Sequence, residues 1–185
     1  MTATLVLGGA RSGKSRFAQG EAEARGLPVT LIATAQALDA EMAARIARHR
    51  AGRAEGWRTV EEPLDLAQAL AREAAPGQAV VVDCLTLWLS NLMHAGRDPD
   101  RESERLAAAL AAPTGEVWLV SNEVGLGLVP DTALGRAFRD AQGWLNQRLA
   151  ATCPRVVFVA AGLPLALKNE KPAPAPPFDL SARAP

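Results

Sequence analysis

Short apolar runs rich in β-branched residues alternate along this chain with longer segments of helical periodicity. TLVLGG (4–9) precedes a helix predicted over about 14–25, and VTLIAT (29–34) precedes one over about 39–50. AVVVD (79–83) leads into an apolar helix, EVWLVS (116–121) precedes a long helix starting at Pro130, and RVVFVAAG (155–162) closes the series. Strands that are apolar throughout, with helices between them, predict an α/β fold whose mostly parallel sheet is covered by helices on both faces. Right-handed crossovers then leave few topologies. The helix after Pro130 has the clearest pattern: Asp131 in its first turn, and Leu134, Phe138, Ala141, Leu145 and Leu149 along one face. Arg136, Arg139, Gln147 and Arg148 fall on the other face, open to water or a ligand. The pattern stops at Lys168. The alternating Pro/Ala tract that follows has too little apolar surface to offset its ordering entropy. Residues 1–168 therefore read as one domain, and 169–185 as an extended or disordered tail.

Composition narrows the function classes. A chain of 185 residues buries roughly 70% of its unfolded surface, enough for a full core. Lys plus Arg and Asp plus Glu balance at 20 each, so net charge gives no push toward nucleic acid or an acidic membrane. Cys84 and Cys153 lie far apart after apolar runs, which predicts buried, reduced thiols and no disulfide framework. The N-terminus lacks the basic start of a secretory signal. The longest apolar stretch, AVVVDCLTLWLSNLM, is too short to span a bilayer and carries Asp83 and Asn91. The expectation is a cytoplasmic protein with no integral membrane segment.

GGARSGKS, residues 8–15, matches the P-loop pattern G-x-x-x-x-G-K-[ST] and stands where the motif needs to be, after an apolar strand and at the start of a helix. The alternative is a glycine-rich turn that matches by chance. In a P-loop the glycines let successive N–H groups turn inward onto phosphate oxygens, and the helix dipole adds positive potential there. Lys14 is then expected to reach the β- and γ-phosphates, and Ser15 to ligate Mg²⁺. Asp83, at the end of VVVD, is the natural second Mg²⁺ group, because an acid at the carboxyl end of a parallel strand faces the ligand crevice. An ordinary helix-capping residue is the alternative there. N-K-x-D is absent, and LKNEK does not match it, which disfavours a G-protein switch. The fold class is thus α/β of the P-loop NTPase type, belonging to a nucleotide-using enzyme or a motor-like ATPase.

ARIARHRAGR, residues 44–53, sets His49 among four arginines with no acid. On a helix, Met42 and Ile46 share a face that His49 continues, with Arg45 beside it and Arg48, Arg50 and Arg53 fanning around the end. Position alone allows a hydrogen-bonded core histidine. It also allows a nucleic-acid patch, weakly supported because there is one basic turn and no aromatic interleaving beyond Trp57. The third reading is a nucleophile that attacks an α-phosphate, kept neutral by neighbouring arginines that also stabilise the transferring group.

GGARSGKS, IATAQALDAEMAARIARHRAGR, GWRTVEEP, VVVDCLTLWLSNLM, SNEVGLGLVP and RAFRDAQGWLNQRLA come in an order and spacing that resemble one family over residues 4 to about 168. That family is the bifunctional adenosylcobinamide kinase/adenosylcobinamide-phosphate guanylyltransferases of cobalamin synthesis. The resemblance implies two steps: ATP or GTP phosphorylates adenosylcobinamide, and GTP then guanylylates an enzyme histidine that passes GMP to the new phosphate. It places the guanylylated residue at His49. Some members carry a histidine pair there, whereas this chain has Arg48. It implies nucleotide contacts at Gly8, Gly9, Ala10, Arg11, Ser12, Gly13, Lys14, Ser15, Ala33, Thr34, Ala35, Arg50, Ala51, Gly52, Arg53, Glu61 and Asp83, with Mg²⁺ on Ser15 and Asp83. Some relatives carry Glu at the Asp83 position. The implied partners are adenosylcobinamide, its phosphate and ATP/GTP, with no nucleic acid, in a homo-oligomer that is a trimer in relatives. Asn122 and Glu123 follow a strand end, where they meet substrate or metal or else simply form the turn. Glu61 and Glu62 before Pro63 are also readable as an acidic pair complementing a helix N-terminus.

Overall fold

A computed structural model describes residues 2–36, 56–111 and 115–169. Seven strands form one sheet: β1 (Ala3–Gly8), β2 (Val29–Ala33), β3 (Arg58–Glu61), β4 (Ala79–Asp83), β5 (Glu116–Asn122), β6 (Arg155–Ala160) and β7 (Leu163–Lys168). Interspersed are α1 (Lys14–Glu23), α2 (Leu66–Glu73), α3 (Leu85–His94), α4 (Pro99–Ala111) and α5 (Ala133–Thr152). The strand order is β3-β2-β4-β5-β1-β6-β7, parallel throughout except for the antiparallel pairing of β7 on β6. This is the expected α/β architecture.

Side chains alternate across the sheet with the two-residue period of a strand. On β4, Val80 and Val82 join one core with Leu5, Leu119, Trp88, Leu92, Leu106 and Leu145. Val81 joins the other, with Val6, Leu31, Trp118 and the small α1 residues Ala18 and Ala22. Both faces are therefore sealed, and the central strands can be apolar at every position. Alanines on α1 let that helix lie close to the sheet, which sets the height of its N-terminus over the strand ends. Cys84 and Cys153 are buried free thiols, as expected.

Several boundaries differ from the sequence pattern. The last predicted strand, 155–162, ends at Ala160; Ala161 and Gly162, with φ of 52° and 81°, turn the chain back into β7. The helix predicted from Pro130 begins at Ala133, because the Thr132 side chain accepts from Gly135 N–H at 3.0 Å and caps it. Leu134, predicted on the inner face, lies in the first turn and is 62% exposed, while the inward positions are Gln142, Leu145, Asn146 and Leu149. The helix predicted over 39–50 and residues 170–185 of the proposed tail lie outside the described residues. Near the end of the described chain, the Lys168 ammonium donates to the carbonyls of Ala150, Ala151 and Cys153 at 2.9, 3.2 and 2.7 Å. A cation on the last turn of α5 satisfies carbonyls that the helix leaves open.

Candidate active site

The loop between β1 and α1 is built around absent side chains. A Cβ on Gly8 would sit 2.5 Å from the Val159 carbonyl oxygen and 2.6 Å from Ser12 Oγ, so the chain passes there only as glycine. Gly13, at φ 98°, is the N-cap of α1, and no side chain caps that helix. The first-turn amides of α1, with the positive end of its dipole, are thus directed at whatever occupies the loop. Two backbone bonds hold the loop: Gly162 N–H donates to the Ser12 carbonyl at 2.8 Å, and Glu123 N–H donates to the Gly8 carbonyl at 3.0 Å. Lys14 is buried and its ammonium donates to the Gly9 carbonyl at 2.9 Å, across the loop. Ser12 Oγ is buried and has no hydrogen-bond partner among the described residues.

β5 separates the loop strand from β4. In register, Gly8 faces Asn122 and Val120 faces Asp83, so the carboxyl ends of β1, β5 and β4 lie side by side. Two ladder spacings put Asp83 roughly 10 Å from the β1 end. The adjacent Cys84 thiol senses both charges. Burial, reinforced by the Asp83 carboxylate, pushes it up to about 11, while the Lys14 ammonium pulls the other way. Asp83 and Lys14 thus act on a common volume. Ser15 supplies a hydroxyl from the first turn of α1 and Asp83 a carboxylate, both hard oxygen donors of the kind Mg²⁺ takes when nucleotide phosphates and water complete its shell. No group of three or more His, Cys, Asp or Glu that could cage a metal occurs among the described residues. The donor set therefore fits Mg²⁺ carried with a nucleotide.

The remaining predicted positions separate from this crevice. Ala33, Thr34 and Ala35 stand at the end of β2 and Glu61 at the end of β3, three and four spacings from β1, roughly 14 and 19 Å away. Thr34 is fully buried: its hydroxyl donates to the Cys84 carbonyl at 2.7 Å and accepts from Cys84 N–H at 2.9 Å. Its carbonyl accepts from Asn91 Nδ2 at 2.8 Å. In this arrangement Thr34 braces the Asp83–Cys84 corner and presents no surface of its own. Glu62 Oε1 accepts from the N–H groups of Leu64 and Asp65 at 3.0 and 2.8 Å, the helix-entry role open to it in the sequence. Glu123 Oε1 accepts from Gly125 N–H at 2.7 Å in the turn beyond β5. His49, Arg50, Ala51, Gly52 and Arg53 lie outside the described residues.

One element of the site escaped the sequence pattern. Under the β5 end, Asn146 Oδ1 accepts from Ser121 Oγ at 2.7 Å and from Gln142 Nε2 at 3.1 Å, while Asn146 Nδ2 donates to the Asn122 carbonyl at 3.2 Å. Asn122 N–H in turn donates to Thr86 Oγ1 at 2.9 Å. This network pins the strand end between loop and acid. Its signal was present as Gln142 and Asn146, two amides four residues apart on an otherwise apolar face.

A glycine-walled loop at a strand–helix junction, an uncapped helix N-terminus, a lysine across the loop and an acid two strands away define a P-loop enzyme that transfers groups from nucleoside triphosphates. A solved Pyrococcus horikoshii structure shares the fold alone, at 11% identity and a TM-score of 0.55 over 92% of this chain and 87% of that one. The family described as cobinamide kinase / cobinamide phosphate guanyltransferase matches residues 4–167, and this chain belongs to it. It is therefore an enzyme of adenosylcobalamin biosynthesis with kinase and guanylyltransferase activities. Similar proteins include the bifunctional adenosylcobalamin biosynthesis protein CobP of Pseudomonas aeruginosa, 54% identical over 169 residues, 90% of this chain and 97% of that protein. CobU of Salmonella typhimurium is 43% identical over 182 residues, 89% of this chain and 98% of that protein.

Proposed function

We propose that the crevice at the ends of β1, β5 and β4 carries out phosphoryl transfer and that His49 carries the guanylyl group. The single observation that bears most weight is the convergence of the uncapped α1 N-terminus, Lys14 and Asp83 across three adjacent strand ends. In the first step the amides of residues 8–15 and Lys14 hold the triphosphate of ATP or GTP. The aminopropanol hydroxyl of adenosylcobinamide attacks the γ-phosphorus, the bond to the β-phosphate oxygen breaks, and the hydroxyl proton leaves with solvent. Lys14 and the helix dipole stabilise charge on the transferring group. Mg²⁺, when bound, supplies neutralisation of the phosphate oxygens. Ser15 and Asp83 hold it.

In the second step a neutral His49 nitrogen attacks the α-phosphorus of GTP, a P–N bond forms and pyrophosphate leaves. An oxygen of adenosylcobinamide phosphate then attacks the same phosphorus and the P–N bond breaks, giving adenosylcobinamide-GDP. Arg50 and Arg53, with Ala51, Gly52, Ala33, Ala35 and Glu61, are assigned to the guanylyl nucleotide, and Thr34 to bracing the corner that carries Asp83. The separation of the β2 and β3 ends from the P-loop supports a division of labour between two ends of one crevice. Residues 1–168 form the catalytic domain, working in the cytoplasm as a homo-oligomer of the trimeric kind. No helix among the described residues is long and apolar enough to cross a membrane.

The test is incubation with Mg²⁺ and α-labelled GTP, followed by denaturation and mass spectrometry. GMP on His49, in an acid-labile and base-stable linkage that His49→Ala abolishes, is the expected result. Phosphorylation of adenosylcobinamide without any covalent nucleotide would reduce the protein to a simple P-loop kinase.

A further inference from the structure

Beside the phosphate loop, on the side away from Asp83, a groove of about 570 Å³ runs between α1 and the β6–β7 turn. Arg11 and Gly13 of the loop open directly into it, Arg16, Phe17 and Gly20 form its helical wall, and Gly162 forms the opposite rim. We infer that this groove seats the nucleoside of the phosphoryl donor, in a pose separate from that of the GTP that guanylylates His49. The inference rests on the P-loop reading above and extends it to where the sugar and base lie.

The polarity follows from charge. The β5–β4 side of the loop is acidic, with Asp83 and Glu123 at the strand ends. The reacting γ-phosphate points there, because Asp83 is the carboxylate assigned above to hold its metal. A triphosphate threaded through the loop with that end toward Asp83 sends its α-phosphate and nucleoside the opposite way, toward β6. On that side stand two arginines, Arg11 and Arg16, with no ion pair among the described residues, followed by an aromatic ring. Gly20 lies five residues beyond Ser15, about 7 Å along the helix axis, and its missing side chain leaves the wall open at base distance. Nothing lies within 4 Å of where its Cβ would be. The volume falls in the range of small-ligand sites, roughly 300–1,000 Å³.

The Arg155 guanidinium sits 5.9 Å from the Phe17 ring centre and is paired with Glu21. The opposite rim is held by the Gly162 bond to Ser12. Among the lining side chains the one carboxylate, Glu21, is held by Arg155, and no amide is present to read a purine edge. Stacking on Phe17 and Arg16 tolerates any base with a π-face. This accounts for a phosphoryl donor that is either ATP or GTP.

The test uses Gly20→Leu, which fills the groove at an exposed helix position and favours the helix, and Arg16→Ala. ADP affinity is measured by calorimetry, KM for ATP in the kinase reaction, and the rate of GMP labelling from GTP. Gly20→Leu is expected to weaken ADP and raise KM for ATP at least tenfold, and Arg16→Ala several-fold, while GMP labelling keeps the wild-type rate. The wild-type chain is expected to bind ADP and GDP within a few-fold of each other. Unchanged ADP affinity in Gly20→Leu would overturn the groove assignment. An equal fall in ADP affinity and GMP labelling would overturn the separate pose. Absence of labelling in the wild-type chain would strike the guanylyl reading instead, and the ADP measurements would still decide the groove.

Discussion

Removing Asn146 tests whether the β5 end is held from below. Asn146→Leu, close to isosteric, takes the acceptor from Ser121 Oγ and the donor from the Asn122 carbonyl, at a site where Ser121 and Gln142 have no exposure. Gln142 Nε2 keeps its bond to Ser121 Oγ at 3.0 Å but loses the one to Asn146 Oδ1 at 3.1 Å, so three groups lose a bond and the Asn122 carbonyl loses its side-chain partner outright. A buried group left unpaired costs about 1–3 kcal/mol, and the single bonds lost by Ser121 and Gln142, which keep each other, add about 1 kcal/mol, for a loss of roughly 2–4 kcal/mol. For a chain of this size that is a fall in Tm of roughly 5–15 °C. Ser121→Ala alone leaves Asn146 its bond to Gln142 and costs about 1 kcal/mol. In the double variant Gln142 Nε2 loses both of its acceptors, whereas each single variant leaves it one, so the cost exceeds the sum of the two by about 1–2 kcal/mol. Urea denaturation of the four proteins at one pH measures this coupling. Because the network carries Asn122 beside the P-loop, ADP affinity is expected to fall in Asn146→Leu and at least as far in the double variant. Additivity of the two substitutions within about 0.5 kcal/mol would refute the network as a unit.

Three further outcomes are expected. Gly8→Ala drives a methyl onto the Val159 carbonyl and Ser12, so the loop shifts; stability falls by about 1–3 kcal/mol and ADP affinity falls by at least tenfold, measured by denaturation and calorimetry. The Cys84 and Cys153 thiols, pushed up by burial to about 11 and about 12, stay protonated at pH 8, so a chromogenic disulfide reagent titrates neither in the native chain and both after denaturation. Arg97, bonded to Asp65 at 2.7 Å, holds that carboxyl below its ordinary 3.8. A depressed carboxylate contributes stability above its unfolded value and loses it as pH falls through the folded one, so acid unfolding below pH 3.8 is expected to be shallower in Arg97→Ala, with the Asp65 resonance titrating near its ordinary value.

The central sheet was readable because β1, β2, β4, β5 and β6 are covered on both faces, and a doubly covered strand must be apolar at every position. The edges do not obey that rule. Arg58–Glu61 offers one apolar residue, Val60, because β3 has a neighbour on one side and is largely exposed. LPLALK contains a proline, which argues against a strand unless the strand is an edge, and only tertiary position makes β7 one. The P-loop was legible because its chemistry is local, with glycines, lysine and serine in eight consecutive positions. The arrangement around Thr34 was not. Its resemblance-based role was nucleotide contact, but a hydroxyl's direction depends on Cys84, fifty positions later, and nothing in IATAQ encodes that partner. Likewise Gln142 and Asn146 share the face of Leu145 and Leu149, but their partners, Ser121 and the Asn122 carbonyl, come from β5, and nothing in the helix pattern names them.

The placement of β1 has a kinetic consequence. Its neighbours are β5 and β6, so Thr4 lies beside Trp118 and Arg155, while β2, which follows it in the chain, sits beyond β4 and β5. A nascent chain therefore holds an unpaired β1 until most of its length has been made, and pairing then waits on long-range loop closure, the slowest class of contact to form. The loop's two backbone ties, to Glu123 and Gly162, come from the same late segments. Nucleotide affinity consequently develops at the end of folding, and the first appearance of ADP binding during refolding times completion of the whole sheet.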